Sequence, residues 1–319
     1  MTSDTGVQKT PPTETKKAGK AKSPVRPGVV LRGRFELLEE IGRGGLSVVF
    51  KARDKVAADA GLADPHVALK IIFAGDAVEP DIVSLMHREA RRLRDLVHPN
   101  IVRVYDMDVE DQLHFMVMEH LNGKTLSKVF REAPEHVLDV RKVNRLVQDV
   151  AAALSFSHGR GIVHADLKPG NIFIARNGAV KLIDFNIAFP VARPMKITEE
   201  DTIQILGRLG AVTPAYASPQ RLNDAEPCEA DDVFSLAVLT YMALSGQRPF
   251  GGKTSLEALK DEIAPEPIRG LHRRSWKAIE KGLALDDASR TPSAAQFALE
   301  FTRQNVFSVA NRLMAPLQR

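Results

Sequence analysis

Apolar residues alternate, or run with β-branched neighbours, at Ser47–Lys51, His66–Phe73, Ile101–Asp106 and Leu113–Glu119, and these four stretches are predicted strands. A single helical pattern interrupts them from Asp81 to Leu96, with Leu85, Ala90, Leu93 and Leu96 near one face. After Asn122-Gly123 the period changes. Val143–His158 carries apolar residues at helical spacing, and Gly159 offers a C-terminal stop. Two short strand-like pieces follow, Ile172–Ala175 and Val180–Ile183, and then helical runs at Ala230–Ser245, Thr254–Ile263, Ser275–Gly282 and Pro292–Leu313. A sheet-rich first third before a helix-rich remainder predicts an α+β chain of two lobes, whose natural ligand site is the cleft between them.

Composition narrows this only a little. The 319 residues are 44% hydrophobic and 26% charged, as expected of a chain that buries a core. No run of about 18 apolar residues appears, so no membrane span is predicted. The N-terminus has no apolar leader core, and the expected compartment is the cytoplasm. Cys228, the only cysteine, excludes an internal disulfide. Charge is unevenly spread. Residues 1–27 hold six basic side chains against Asp4 and Glu14, which leaves 38 basic and 38 acidic residues for the rest. Residues 1–33, rich in Thr, Lys and Pro, are therefore expected to be a disordered basic tail ahead of one domain at 34–319. A formally neutral domain without basic and aromatic residues interleaved gives no support to nucleic-acid binding.

The chemistry concentrates in His164-Ala165-Asp166-Leu167-Lys168-Pro169-Gly170-Asn171, followed thirteen residues after Asn171 by Asp184-Phe185-Asn186. Two carboxylates and an amide on a loop and the turn after it suit phosphoryl transfer. One acid meets the proton of an attacking hydroxyl; the other acid and the amide hold a hard cation on nucleotide phosphates. Upstream, Ile41-Gly42-Arg43-Gly44-Gly45-Leu46-Ser47-Val48-Val49 is a glycine-dense hairpin whose backbone can close over phosphates. Val67-Ala68-Leu69-Lys70 follows on a strand, with Lys70 between apolar neighbours.

In this order the motifs resemble those of the eukaryotic-type serine/threonine protein kinases, closest in wording to bacterial members, from Phe35 to Leu313. The resemblance implies a bilobal fold with a β-rich N-lobe over 34–121, carrying one main helix, and a mostly helical C-lobe over 122–319. It implies ATP and magnesium as cofactors and proteins with Ser or Thr acceptors as substrates. Asp166 would orient the acceptor hydroxyl, Lys168 would reach the transferred phosphate, and Asn171 and Asp184 would hold the metal. Gly42, Arg43, Gly44 and Gly45 would cover the phosphates, and Lys70 would bind them while Glu89 holds it. Ile41, Val49, Ala68 and Phe173 would sandwich the adenine, Met118 would face the back pocket, and Glu119 to Leu121 would supply hinge bonds. Thr213 in Thr213-Pro214-Ala215-Tyr216 would bond the catalytic Asp166 and Lys168, Thr202 is the candidate phosphorylation site, and Asp232 would brace the catalytic loop.

Three departures from the family pattern stand out. Ala165 replaces an arginine that ordinarily receives an activation-loop phosphate, so full activity is not expected to depend on one phosphothreonine. Asn186 stands where glycine follows Asp-Phe. Gln220, in Ala217-Ser218-Pro219-Gln220, replaces a glutamate that pairs with a late arginine, which Arg290 resembles. These departures keep open a pseudokinase scaffold that binds nucleotide or partners without transfer. A small-molecule kinase shares the Asp and Asn pair, but Lys168-Pro169 and Thr213-Pro214 point away from it. With no sensor visible after Leu313, a regulatory partner, expression level or genomic neighbours would supply the cue.

Overall fold

A computed structural model describes residues 25–43, 47–72, 92–111, 113–185 and 213–302. The expectations placed on Gly44, Gly45, Glu89, Asn186 and Thr202 lie outside those residues, as does the helical pattern before residue 92.

Six antiparallel strands make the first lobe in the order β1-β2-β3-β4-β6-β5. They are β1 Val30–Leu31, β2 Phe35–Arg43, β3 Ser47–Asp54, β4 His66–Ile72, β5 Val104–Glu110 and β6 Leu113–Glu119. Alternation works as the sequence promised on β3, where Val48, Phe50, Ala52 and Asp54 turn inward. The sheet curls until its edges meet: at the β1–β2 turn, Arg32 pairs with Asp108 of β5 at 3.2 Å, and its amide donates to Glu110 at 2.8 Å.

Order starts earlier than the expected boundary at Arg34. Val25 is buried and packs with Val29, Leu31 and Phe35 against the outer core of the sheet, so residues 25–33 belong to the lobe. The strand expected at Ile101–Asp106 is displaced to Val104–Glu110. Ile101 instead makes a lone parallel bridge to Leu182, and the Val102 amide donates to the Leu182 carbonyl at 2.9 Å. Those residues leave the first lobe's sheet to pair with the second lobe, an exchange that a strand pattern does not distinguish from ordinary pairing. A five-residue helix, Lys55–Asp59, was not anticipated; it buries nothing and rests on Asp54, which accepts from the amides of Val56 and Ala57.

The second lobe begins at Gly123, where a side chain has no room: a Cβ would stand 2.1 Å from the Ile174 carbonyl oxygen. A three-stranded sheet of β7 Gly123–Thr125, β8 Ile172–Ala175 and β9 Val180–Leu182 sits just below the cleft. The helix Val140–His158 starts at Asp139, whose side chain accepts from the Arg141 amide at 2.8 Å. It buries Val143, Val147, Val150 and Leu154 along one face. Gly159 caps its end in right-handed geometry, and the left-handed turn falls on Gly161 instead. The helix Glu229–Ser245 is apolar on nearly every side and buries thirteen residues, as a central helix must. Leu126–Glu132, Pro219–Leu222, Ser255–Lys260, Arg273–Gly282 and Ala294–Thr302 complete the described α-helices.

Candidate active site

The loop 164–171 crosses the top of the second lobe, and one carboxylate fixes its shape. Asp232 is 1% exposed and accepts three bonds: from the His164 amide at 2.8 Å, the Ala165 amide at 2.9 Å and His158 Nε2 at 2.8 Å. Ala165 takes a positive φ of 63°, a conformation that costs a non-glycine residue free energy unless its surroundings impose it. Two hydrogen bonds to one buried carboxylate impose it here. Asp232 is thus the brace that the sequence placed there.

The loop then turns its polar groups toward one point. Lys168 Nζ lies 2.6 Å from Asp166 Oδ2 and donates to Thr213 Oγ1 at 2.9 Å. Thr213 Oγ1 donates in turn to Asp166 Oδ1 at 3.0 Å. Asn171 Nδ2 donates to the Asp166 carbonyl at 2.9 Å, which orients the amide. Asp166, Lys168, Asn171 and Thr213 therefore form one closed cluster, to which Thr213 comes from a separate segment.

Across the cleft, Lys70 Nζ meets Asp184 Oδ1 at 2.5 Å. The protein packed around Asp184 raises its carboxyl even though the side chain keeps 42% of its surface exposed, but the charge and hydrogen bond of Lys70 outweigh this, and the group stays below its usual range. An ionised carboxylate and an oriented amide are oxygen donors that a small hard cation accepts, and phosphates and water complete its shell. Asp184 has a positive φ of 53°, and the next side chain, Phe185, is buried against His164 with ring centroids 4.8 Å apart. The strained turn thus aims the carboxylate at Lys70 while Phe185 anchors it. His164 is fully buried, and burial holds its imidazole well toward the neutral form.

Nucleotide-facing residues divide into two groups. Ala68 and Met118 are buried in one small cluster, with Val49 and Leu121 packed on its edge. Met118 also lines a cavity of about 30 Å³ behind Lys70, together with Leu93, Met116 and Phe185. Ile41 is 47% exposed at the rim, and Gly42 and Arg43 end the hairpin strand, where Arg43 pairs with Glu40. Phe173, on β8, pairs in register with Thr125 below them. Glu119 is occupied by a role that the sequence did not suggest. Its carboxylate meets Lys181 at 2.9 Å and accepts from the Arg103 amide at 3.3 Å, which ties the strand between the lobes to β9.

Comparison with known proteins agrees with this geometry. The protein kinase domain family matches residues 35–301. The chain belongs to the protein kinase family. It is 31% identical to the serine/threonine-protein kinase PknB of Mycobacterium leprae over 86% of its own length and 43% of that protein's. It is 33% identical to PknA of Mycobacterium tuberculosis, over 86% of this chain and 62% of the relative. Both bear the description serine/threonine-protein kinase, and this chain spans only part of each. In fold, the kinase domain resembles the crystal structure of the Mycobacterium tuberculosis PknI kinase domain, with a TM-score of 0.66, 21% identity, and 87% of this chain and 98% of that one covered. Among the described residues, no helix of the kinase domain is long and apolar enough to cross a membrane.

Proposed function

We propose that this kinase domain transfers the γ-phosphate of ATP, with magnesium, to serine and threonine hydroxyls of proteins, its own included. The observation that carries the reading is the closed triangle of Asp166, Lys168 and Thr213 facing the Lys70–Asp184 pair. An ordinary aspartate is far too weak a base to remove an alcohol proton in advance. Asp166 instead orients the hydroxyl, whose oxygen forms a bond to the γ-phosphorus as the bond to the ADP oxygen breaks, and takes the proton late. Lys168 lies 2.6 Å from Asp166, close enough to balance charge developing on the moving group. Thr213 closes the acceptor side with a hydroxyl, the residue type that serine- and threonine-directed members place there. Lys70 takes up the non-transferred phosphates. Asn171 and Asp184 are the groups that would hold magnesium, which neutralises phosphate charge when bound.

Ala165 leaves a buried methyl where a phosphate receptor would stand, and the loop's order rests on Asp232. That supports activity without one obligatory phosphothreonine.

Purified protein given labelled ATP, magnesium and a generic protein acceptor should label the acceptor on serine or threonine. Asp166→Asn should lower that rate about 10³-fold, with nucleotide affinity within about threefold of wild type. No transfer by the wild type to any polypeptide, or full transfer by the variant, would overturn the reading.

A further inference from the structure

Arg290 is buried completely, a position in which a guanidinium is costly unless its charge is balanced. Its Nη2 donates to Gln220 Oε1 at 3.0 Å, so the sequence-expected partner is in place. That partner is neutral. The other bonds run to the carbonyls of Ala284 at 3.0 Å and Ala230 at 2.9 Å, which are neutral too. The compensating charge stands elsewhere: Asp231 Oδ1, 4% exposed, lies 4.0 Å from Arg290 Nη1. Burial pulls the guanidinium down from its usual range, and among the charges around it Asp231 is the strongest that pulls it back.

Asp231 also grips the end of the segment that brings in Thr213. Ser218 Oγ donates to Asp231 Oδ1 at 2.5 Å, and the Cys228 amide donates to Oδ2 at 2.9 Å. Ahead of Ser218, the Ala217 carbonyl accepts from Ser255 at 2.6 Å and the Tyr216 carbonyl from Ser235 at 2.9 Å. The Tyr216 amide then turns back to the Thr213 carbonyl at 3.0 Å. The backbone between Asp231's partner Ser218 and the threonine that touches Asp166 is therefore pinned at residues 216, 217 and 218.

We propose that Asp231 is a positioning residue for phosphoryl transfer. Its charge, in place of one at residue 220, balances Arg290 and through Ser218 holds the segment 213–218 against the catalytic loop. The proposal rests on the kinase reading for its catalytic readout but not for its electrostatic one.

A cycle of Asp231→Asn, Gln220→Glu and the double variant in the full chain tests it. Asn keeps an oxygen for the Cys228 amide, and the Ser218 hydroxyl can reverse its bond, so the substitution removes charge rather than shape. Asp231→Asn should lower kcat about tenfold with the KM for ATP unchanged, and should lower the unfolding temperature by roughly 5 °C or more. Adding Gln220→Glu restores a carboxylate beside Arg290 and should bring both quantities most of the way back, while Gln220→Glu alone changes kcat less than about twofold. A kcat for Asp231→Asn within twofold of wild type, or a double variant no better than the single, overturns the proposal. If the single variant does not fold, recovery in the double supports it and failure of the double overturns it. Should wild type transfer no phosphate at all, the kinase reading falls, and the unfolding temperatures alone still show whether the charges at 220 and 231 substitute for each other.

Discussion

The two walls of the cleft are built to different standards. On the C-lobe wall, Asp232 is 1% exposed with three donors on it, and Asp166 is tied to Lys168, Thr213 and Asn171. On the N-lobe wall, Lys70 keeps 23% of its side chain exposed, and among the described residues it meets the carboxylate of Asp184, which is itself 42% exposed. A buried polar network is costly to disturb because a group that loses its partner inside keeps the whole desolvation penalty. A half-exposed ion pair contributes little, since water replaces either partner. The acceptor side is thus set before any ligand arrives, whereas the nucleotide side is held by a contact that phosphates can displace.

The largest effect should come from breaking the C-lobe brace. Asp232→Ala would strand two buried backbone amides and His158, at about 1–3 kcal/mol each, and should lower the unfolding free energy by about 3–6 kcal/mol. Chemical denaturation measures this. A loss below about 1 kcal/mol would mean that the two walls do not differ as described. Lys70→Met sharpens the contrast from the other side. Its stability cost should stay under about 1 kcal/mol, because the pair it breaks is solvated. Its phosphotransfer should nevertheless fall about 10²-fold, because the lysine's work begins when phosphates replace Asp184. Equal losses of stability in the two variants would erase the comparison.

What the sequence reveals follows the same division. Asp166, Lys168 and Asn171 are legible because they lie on one short loop, where spacing alone brings them together. Asp232 is legible through its family position, although its neighbour Asp231 is not. Nothing in a run of two aspartates says which one faces the loop and which one faces Arg290. The ion pair of Lys70 with Asp184 spans 114 residues, and such pairing carries no period for a pattern to follow. Short elements escape for a related reason. Lys55–Asp59 buries no side chain, so no hydrophobic face announces it, and β1 has only two residues. Residues 25–33 are hard to read as part of the lobe because Val25 stands alone beside basic residues and Val29-Val30-Leu31 is too short a run to announce a strand, and only the packed sheet shows what they cover.

The smallest effect concerns pH, and it separates the walls by the pH window in which each loses stability. His164 is buried and its imidazole pKa is lowered, chiefly by burial, against the opposing pull of Asp232, Asp166 and Asp184. In the unfolded chain a histidine takes up a proton near pH 6.5, so between that value and the lower folded one the unfolded state binds more protons. Stability must then fall as pH falls, by at most about 1.4 kcal/mol per pH unit from this group. Asp184 behaves otherwise. Its folded pKa is depressed, so its contribution is fully present above the unfolded carboxylate value near 4 and fades only below it. Unfolding measured from pH 7 to 5 should therefore show a decline that the C-lobe histidine dominates and that Lys70→Met leaves unchanged. Burial also lowers His98 and His120, which add to the slope with the same sign, so His164→Asn should flatten it only in part. A slope that vanished in Lys70→Met, or one that His164→Asn left intact, would move the pH-sensitive charge to the nucleotide wall.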